Sequence, residues 1–245
     1  MKTLLSIRKI NLYNFITMNK LNQFSKAHLA IATMLAVVLP SLAHDFEVNG
    51  IYYNRLENLE KTVEVTFKGY SSFDYPDEYI VRVTIPTTVT YNDTTYAVNR
   101  IGFSAFNGCS GLTEVIIPNS INEIHDRAFT GCVGLTSVKI PNSVTVIGSH
   151  VFSGCIGLIE ISIPNSVKII NPDAFCNCTR LTSVFIPNSV TEIHSYAFRN
   201  CTNLTSITIP NSVTEIGGYL FLDCPKLETI VCLNPIPPTC EFFRC

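Results

Sequence analysis

Ile140-Pro141-Asn142-Ser143-Val144-Thr145-Val146-Ile147-Gly148 opens a stretch that runs on through Phe152, Cys155 and Leu158 to Ile161. The same string returns as Ile209-Pro210-Asn211-Ser212-Val213-Thr214-Glu215-Ile216-Gly217, followed by Phe221, Cys224, Leu227 and Ile230. Between them the frame never slips. Phe106, Phe129, Phe152, Phe175, Phe198 and Phe221 keep a step of 23 residues, as do Leu112, Leu135, Leu158, Leu181, Leu204 and Leu227. Cys109, Cys132, Cys155, Cys178, Cys201 and Cys224 share it, and so do Pro118, Pro141, Pro164, Pro187 and Pro210. Copies without insertion or deletion occupy equivalent places in a stack, which makes the chain a repeat solenoid.

One coil shows how the stack forms. Ile207 and Ile209 alternate with Ser206 and Thr208, as in a strand with one buried face. Pro210 has no N–H to donate and ends the pairing. Pro-Asn-Ser turns the chain, Val213 and Ile216 return apolar side chains to the interior, and Phe221, Cys224 and Leu227 close the coil. Burying each apolar side chain contributes about 1.5–3 kcal/mol. Fixing each backbone costs about 1–2 kcal/mol. One coil cannot meet that cost, and stacking supplies the missing burial and inter-coil hydrogen bonds. The expected fold is mainly β, with short turns or 3₁₀ segments between strands.

The chain has 245 residues, a net charge of −2 and 15% charged residues. No basic run or stripe occurs, which argues against a nucleic-acid partner. Lys20–Ala43 reads as an export signal: Lys20 and Lys26, an apolar run Ala27–Leu39, the helix breaker Pro40, then Ser41-Leu42-Ala43. Cleavage is expected after Ala43. Met18 as a start would give the basic region ordinary length. The run is shorter than the ~20 residues a bilayer demands, so membrane involvement is expected only through export.

Residues 44–100 depart from the frame and are expected to form an N-terminal β cap and a degenerate first coil. Phe46–Tyr53 reads as a hairpin around Asn49-Gly50, a pair suited to a two-residue type I′ turn. Val63–Phe67 and Tyr79–Ile85 alternate as strands, and Tyr91–Tyr96 reads as a hairpin excursion. Val98 and Ile101 fall on the frame of Ile121 and Ile124. The expected divisions are 1–43 (signal region), 44–100, 101–231 (six coils) and 232–245 (a short or truncated end).

The motif Ile-Pro-Asn-Ser-Val-Thr-x-Ile-Gly-x-x-x-Phe-x-x-Cys-x-x-Leu-Thr-Ser-Val resembles the BspA-like leucine-rich repeat, and residues 140–161 and 209–230 carry it almost letter for letter. Asp45–Val48 and Ile51–Tyr53 are similar to the entry segment of such proteins. The resemblance covers most of the chain. It implies a secreted or surface-exposed right-handed solenoid associated with adhesion to host matrix proteins or other bacteria. His125, Asn171 and His194 stand where the motif has Gly. Pro237-Pro238 is followed by only seven residues, where such proteins often continue into a cap or anchor.

The Cys column invites chemistry. Zinc needs ligands converging within about 2.3 Å, whereas stacked positions point the same way at ~4.8 Å intervals. That spacing is also wider than the Cβ separation of about 3.5–4.5 Å that a disulfide prefers. The column is therefore expected to be a ladder of small buried thiols. Cys176, Cys232, Cys240 and Cys245 lie outside it. Cys232 continues the Ile209 position, and Cys240 and Cys245 are candidates to pair.

No Gly-rich phosphate loop, His-Glu-x-x-His or Gly-x-Ser-x-Gly pattern occurs. His125 and His194 share a repeat position three coils apart, roughly 14 Å, too far to share a metal. No catalytic residue, metal or cofactor is expected.

Function is then sought on outward positions that vary between copies. The strand-face pairs run Glu114/Ile116, Ser137/Lys139, Glu160/Ser162, Ser183/Phe185, Ser206/Thr208 and Thr229/Val231. Against a Ser/Thr default, Glu114, Ile116, Lys139, Glu160 and Phe185 are the candidate binding residues, with Phe185 the strongest anchor. A second outward row holds Glu123, Glu192 and Glu215, an acidic edge. The sequence thus suggests an exported, non-catalytic protein that binds an extracellular protein or glycan. The alternatives are a self-associating envelope scaffold and a glycan-processing site within 44–100.

Overall fold

A computed structural model of the chain describes residues 44–57, 59–68, 79–234 and 239–240. The export segment and Cys245 lie outside the described residues. No helix occurs among them, and none is long and apolar enough to cross a membrane.

Among the described residues seventeen strands follow one another: β1 (Phe46–Val48), β2 (Ile51–Arg55), β3 (Thr62–Thr66), β4 (Val81–Thr84), β5 (Thr88–Tyr91), β6 (Thr94–Ile101), β7 (Leu112–Ile116), β8 (Glu123–Ile124), β9 (Val146–Ile147), β10 (Glu160–Ser162), β11 (Ile169–Ile170), β12 (Ser183–Phe185), β13 (Glu192–Ile193), β14 (Ser206–Ile209), β15 (Glu215–Ile216), β16 (Thr229–Cys232) and β17 (Thr239–Cys240).

They build two parallel ladders. The first runs from β4 to β7, through the bridges Ile116–Lys139 and Lys139–Ser162, to β10, β12, β14 and β16. The second runs from β3 through β6, β8 and β9, and on through β11, β13, β15 and β17. Cys232 pairs with Ile209, so it does continue that position, and Cys240 pairs with Ile216. A seventh, irregular coil is thereby begun.

The hairpin at Asn49-Gly50 forms with both residues at positive φ, 52° and 77°, as type I′ geometry requires. The excursion is β5–β6, turning at Asn92-Asp93, also at positive φ. The strand expected over Tyr79–Ile85 is shorter, Val81–Thr84. Tyr79 turns inward instead, because its ring packs on Phe106 at 4.7 Å and its hydroxyl donates to the Thr66 carbonyl at 2.9 Å.

A third set of inter-coil bonds lies on the Phe side. Phe106, Phe129, Phe152, Phe175 and Phe198 each donate a backbone N–H to the carbonyl of the residue before the next Phe, over 2.8–3.1 Å. The expected short connections form as isolated i→i−3 turns, with no 3₁₀ segment among the described residues. Two positions per coil are left-handed and interrupt any helix. One is Ser104, Arg127, His150, Asp173, Tyr196 and Tyr219; the other is Gly108, Gly131, Gly154, Asn177, Asn200 and Asp223. The second column reads Gly, then Asn, then Asp, the residues that best tolerate that region.

The core is repetitive. The six Phe rings stack face to face, with centroids 5.1–5.9 Å apart and planes within 15°. A column overlooked in the sequence, Ala105, Ala128, Val151, Ala174, Ala197 and Leu220, is buried beside them.

Candidate functional site

The first ladder sets inward and outward positions by strand alternation. Val115, Val138, Ile161, Val184 and Ile207 are buried, while Glu114, Ile116, Lys139, Glu160 and Phe185 are exposed. Parallel pairing aligns the outward residues in two rows. One runs Arg82, Glu114, Ser137, Glu160, Ser183, Ser206 and Thr229; the other runs Thr84, Ile116, Lys139, Ser162, Phe185, Thr208 and Val231. Among the described residues Phe185 is the most exposed large apolar side chain, at 64%, beside Ser162 on the paired strand. Arg82 and Glu114 form a surface ion pair at 3.3 Å, of a kind that contributes little to stability.

Three features of this face escape a reading of the repeat alone. Arg82 and Thr84 extend both rows one coil before the regular frame. Ile159 stands exposed in a column otherwise Thr113, Thr136, Thr182, Thr205 and Glu228. Val133 and Ile156 are exposed in the column of Ser110, Thr179 and Thr202. Comparing outward positions frame by frame would have found the last two.

The second ladder gathers Glu64, Arg100 and Glu123 in register. Glu123 Oε2 accepts from Arg100 Nη2 at 2.6 Å and lies 3.0 Å from His125 Nε2. The bond to His125, with Arg100 beside it, holds the Glu123 carboxyl below its ordinary range against a desolvation cost. Glu64 is different: burial pushes its carboxyl up, despite His125 and Arg100 nearby. Its carboxylate fills the space over Gly102 where a Cβ would stand. His194 is satisfied separately by Glu192 at 3.1 Å. The expected acidic edge is thus only partly open: Glu123 and Glu192 engage neighbours, while Glu215 is exposed. Among the described residues no group of three metal-ligating side chains converges.

The Cys column is buried at Cys109, Cys132, Cys155, Cys178 and Cys201 and half-buried at Cys224, and none of the six forms a disulfide. Cys132, Cys155, Cys178, Cys201 and Cys224 each donate Sγ–H to the carbonyl of the Phe in the preceding coil, at 3.0–3.3 Å. Desolvation raises the thiols of Cys132, Cys155, Cys178 and Cys201 far above their ordinary range. They carry no reactive thiolate.

The model of the BspA type leucine rich repeat region (6 copies) matches residues 87–178. Among solved structures, the leucine rich repeat protein TpLRR of T. pallidum is 25% identical, with a TM-score of 0.60 over 75% of this chain and 90% of that one. A leucine rich cell surface protein of Faecalibacterium prausnitzii is 28% identical, with a TM-score of 0.55 over 76% of this chain and 54% of that one. The pneumococcal vaccine antigen PcpA shares the fold at 23% identity, with a TM-score of 0.53 over 79% of this chain and 49% of that one. No curated protein matches the chain significantly. The fold built by this chain is a leucine-rich repeat solenoid, and residues 87–178 of it match the BspA type of that repeat.

Proposed function

We propose that the protein is exported and binds, without catalysis, an extracellular protein of host matrix or bacterial surface through the outward face of the first ladder. The observation that carries this is the break in an otherwise hydroxyl-lined face. Phe185 projects from a Ser/Thr background, with Lys139 and Ile116 in the same row and Glu160 in the adjoining one. An aromatic side chain on a rigid strand supplies a large contact at small entropic cost, and such residues concentrate binding energy. The similar F. prausnitzii structure is named as a cell surface protein, which supports a surface location.

The test is retention of the protein on immobilised matrix proteins and bacterial surface fractions, with Phe185→Ser and Lys139→Glu as comparators. Loss of retention by variants of unchanged melting temperature supports the proposal. Failure of folded wild-type protein to retain any ligand counts against it.

A further inference from the structure

Four neighbouring rungs of the first ladder, β7, the Lys139 bridge, β10 and β12, carry most of the residues that depart from its hydroxyl default. Ile116 is exposed on the first rung and Phe185 on the fourth, in one row. Val133 and Ile156 are exposed beside the second and third, in one column. Lys139 and Glu160 lie outward on those same two rungs, both exposed. Neither side chain has an ion-pair or hydrogen-bond partner among the described residues.

This order is self-complementary. A two-fold axis parallel to the strands, between the second and third rungs, exchanges the first with the fourth and the second with the third. Two copies laid face to face about it set Ile116 against Phe185 of the second copy, and Val133 against Ile156. Lys139 then faces Ser162, with Glu160 two residues along the same rung, and the contact occurs twice. No charge faces its like. Half a step either way removes the match. An axis through the second rung sets Lys139 against Lys139 and Glu114 against Glu160. One through the third sets Glu160 against Glu160 and Lys139 against Phe185.

We propose that this face pairs with the same face of a second copy of the chain, as an isologous dimer about that axis. Sheets pack face to face with strands nearly aligned, and outward side chains of the two faces interdigitate. Four strands at ~4.8 Å intervals offer less than the ~800 Å² per partner of a standard interface, so the association is weak and reversible. The inference rests on the protein-binding proposal, whose face it uses, and names the bacterial-surface partner as the chain itself.

The test is sedimentation velocity of the full chain over a concentration series. A concentration-dependent monomer–dimer equilibrium is expected. Lys139→Glu and Glu160→Lys should each weaken it by roughly tenfold or more, because like charges then meet twice. Mixed in equal amounts, the two variants should recover it as a heterodimer, in which both contacts are attractive. The double variant should recover it as a homodimer. Such rescue cannot come from the apolar run Ala27–Leu39. Unchanged melting temperatures show that the variants fold. The proposal is overturned if the chain is monomeric at every concentration, if both single variants dimerise like the wild type, or if the mixture stays dissociated. A monomeric chain whose matrix retention is lost in Phe185→Ser would give the face to a different protein, sinking this inference alone. A charge-dependent dimer without matrix retention would uphold it and sink the host-matrix reading.

Discussion

The thiol of Cys132 donates a hydrogen bond of 3.0 Å to the carbonyl oxygen of Phe106, 26 residues earlier and one coil away. That same carbonyl accepts the N–H of Cys109 within its own coil at 3.2 Å. The bond repeats up the column, so the cysteine is both filler and donor. Its size and weak S–H suit a buried site beside a carbonyl that already has one partner.

The column should therefore resist alkylation. Brief treatment of native protein with iodoacetamide, followed by peptide mapping, is expected to modify exposed Cys232 and to spare Cys109, Cys132, Cys155, Cys178 and Cys201. Modification of the spared thiols should appear only under denaturant. An inter-coil disulfide within the column would contradict the ladder.

The Phe stack should be the largest single source of sensitivity. Phe152 is fully buried between Phe129 and Phe175, at 5.4 and 5.8 Å. Phe152→Ala is expected to cost about 3–5 kcal/mol by urea denaturation. Tyr79→Phe keeps the ring but loses the hydroxyl that donates to Thr66 O and accepts from Tyr52 N–H. Its cost should be about 1–3 kcal/mol.

The left-handed columns predict substitutions of opposite sign. Gly131 has φ 71°, and an added Cβ meets nothing nearer than 3.7 Å. Gly131→Ala is therefore a conformational cost alone, about 1–2 kcal/mol. Arg127 sits at φ 59° in the other column, and Arg127→Gly should leave stability unchanged or improve it. Gly148→Ala should be worse than Gly131→Ala, because its Cβ would overlap the backbone of His125 and Asp126. Chemical denaturation of the three variants ranks them.

Two carboxylates in one cluster should respond to acid in opposite ways. Glu123 is held below its ordinary range, so its stabilisation is present at neutral pH and is lost as pH falls through its folded-state value. Glu64 is raised by burial, so its charged form costs stability at neutral pH and that cost vanishes as it protonates. Glu123→Gln should lower the melting temperature at neutral pH, and Glu64→Gln should raise it. Both differences should shrink below the carboxylate range.

The repeating interior was legible because period alone carries it: Phe152, Cys155 and Leu158 announce their burial by recurring every 23 residues. The type I′ hairpin at Asn49-Gly50 was legible because two residues demand that turn. Tyr79 was not, because it stands outside the frame and its role is set by Phe106 and Thr66, contacts that sequence spacing does not encode. The Ala105 column hides because small residues give a faint apolar signal. The cluster of Glu64, Arg100, Glu123 and His125 depends on a parallel register between β3 and β6 that contains a bulge at Val63/Glu64. On the strand face, alternation placed Phe185 and Lys139 outward, but the rows' extension to Arg82 and Thr84 needed the irregular pairing of β4 with β7.

The central claim is that binding resides on outward positions that fail to repeat, with Phe185 foremost. The most direct measurement compares wild-type and Phe185→Ser protein, of equal melting temperature, for retention on immobilised extracellular matrix proteins and bacterial surface fractions. Retention by the wild type that falls by roughly tenfold or more in the variant, as expected on removing an anchor residue, is the predicted result. Undiminished retention by Phe185→Ser would contradict it.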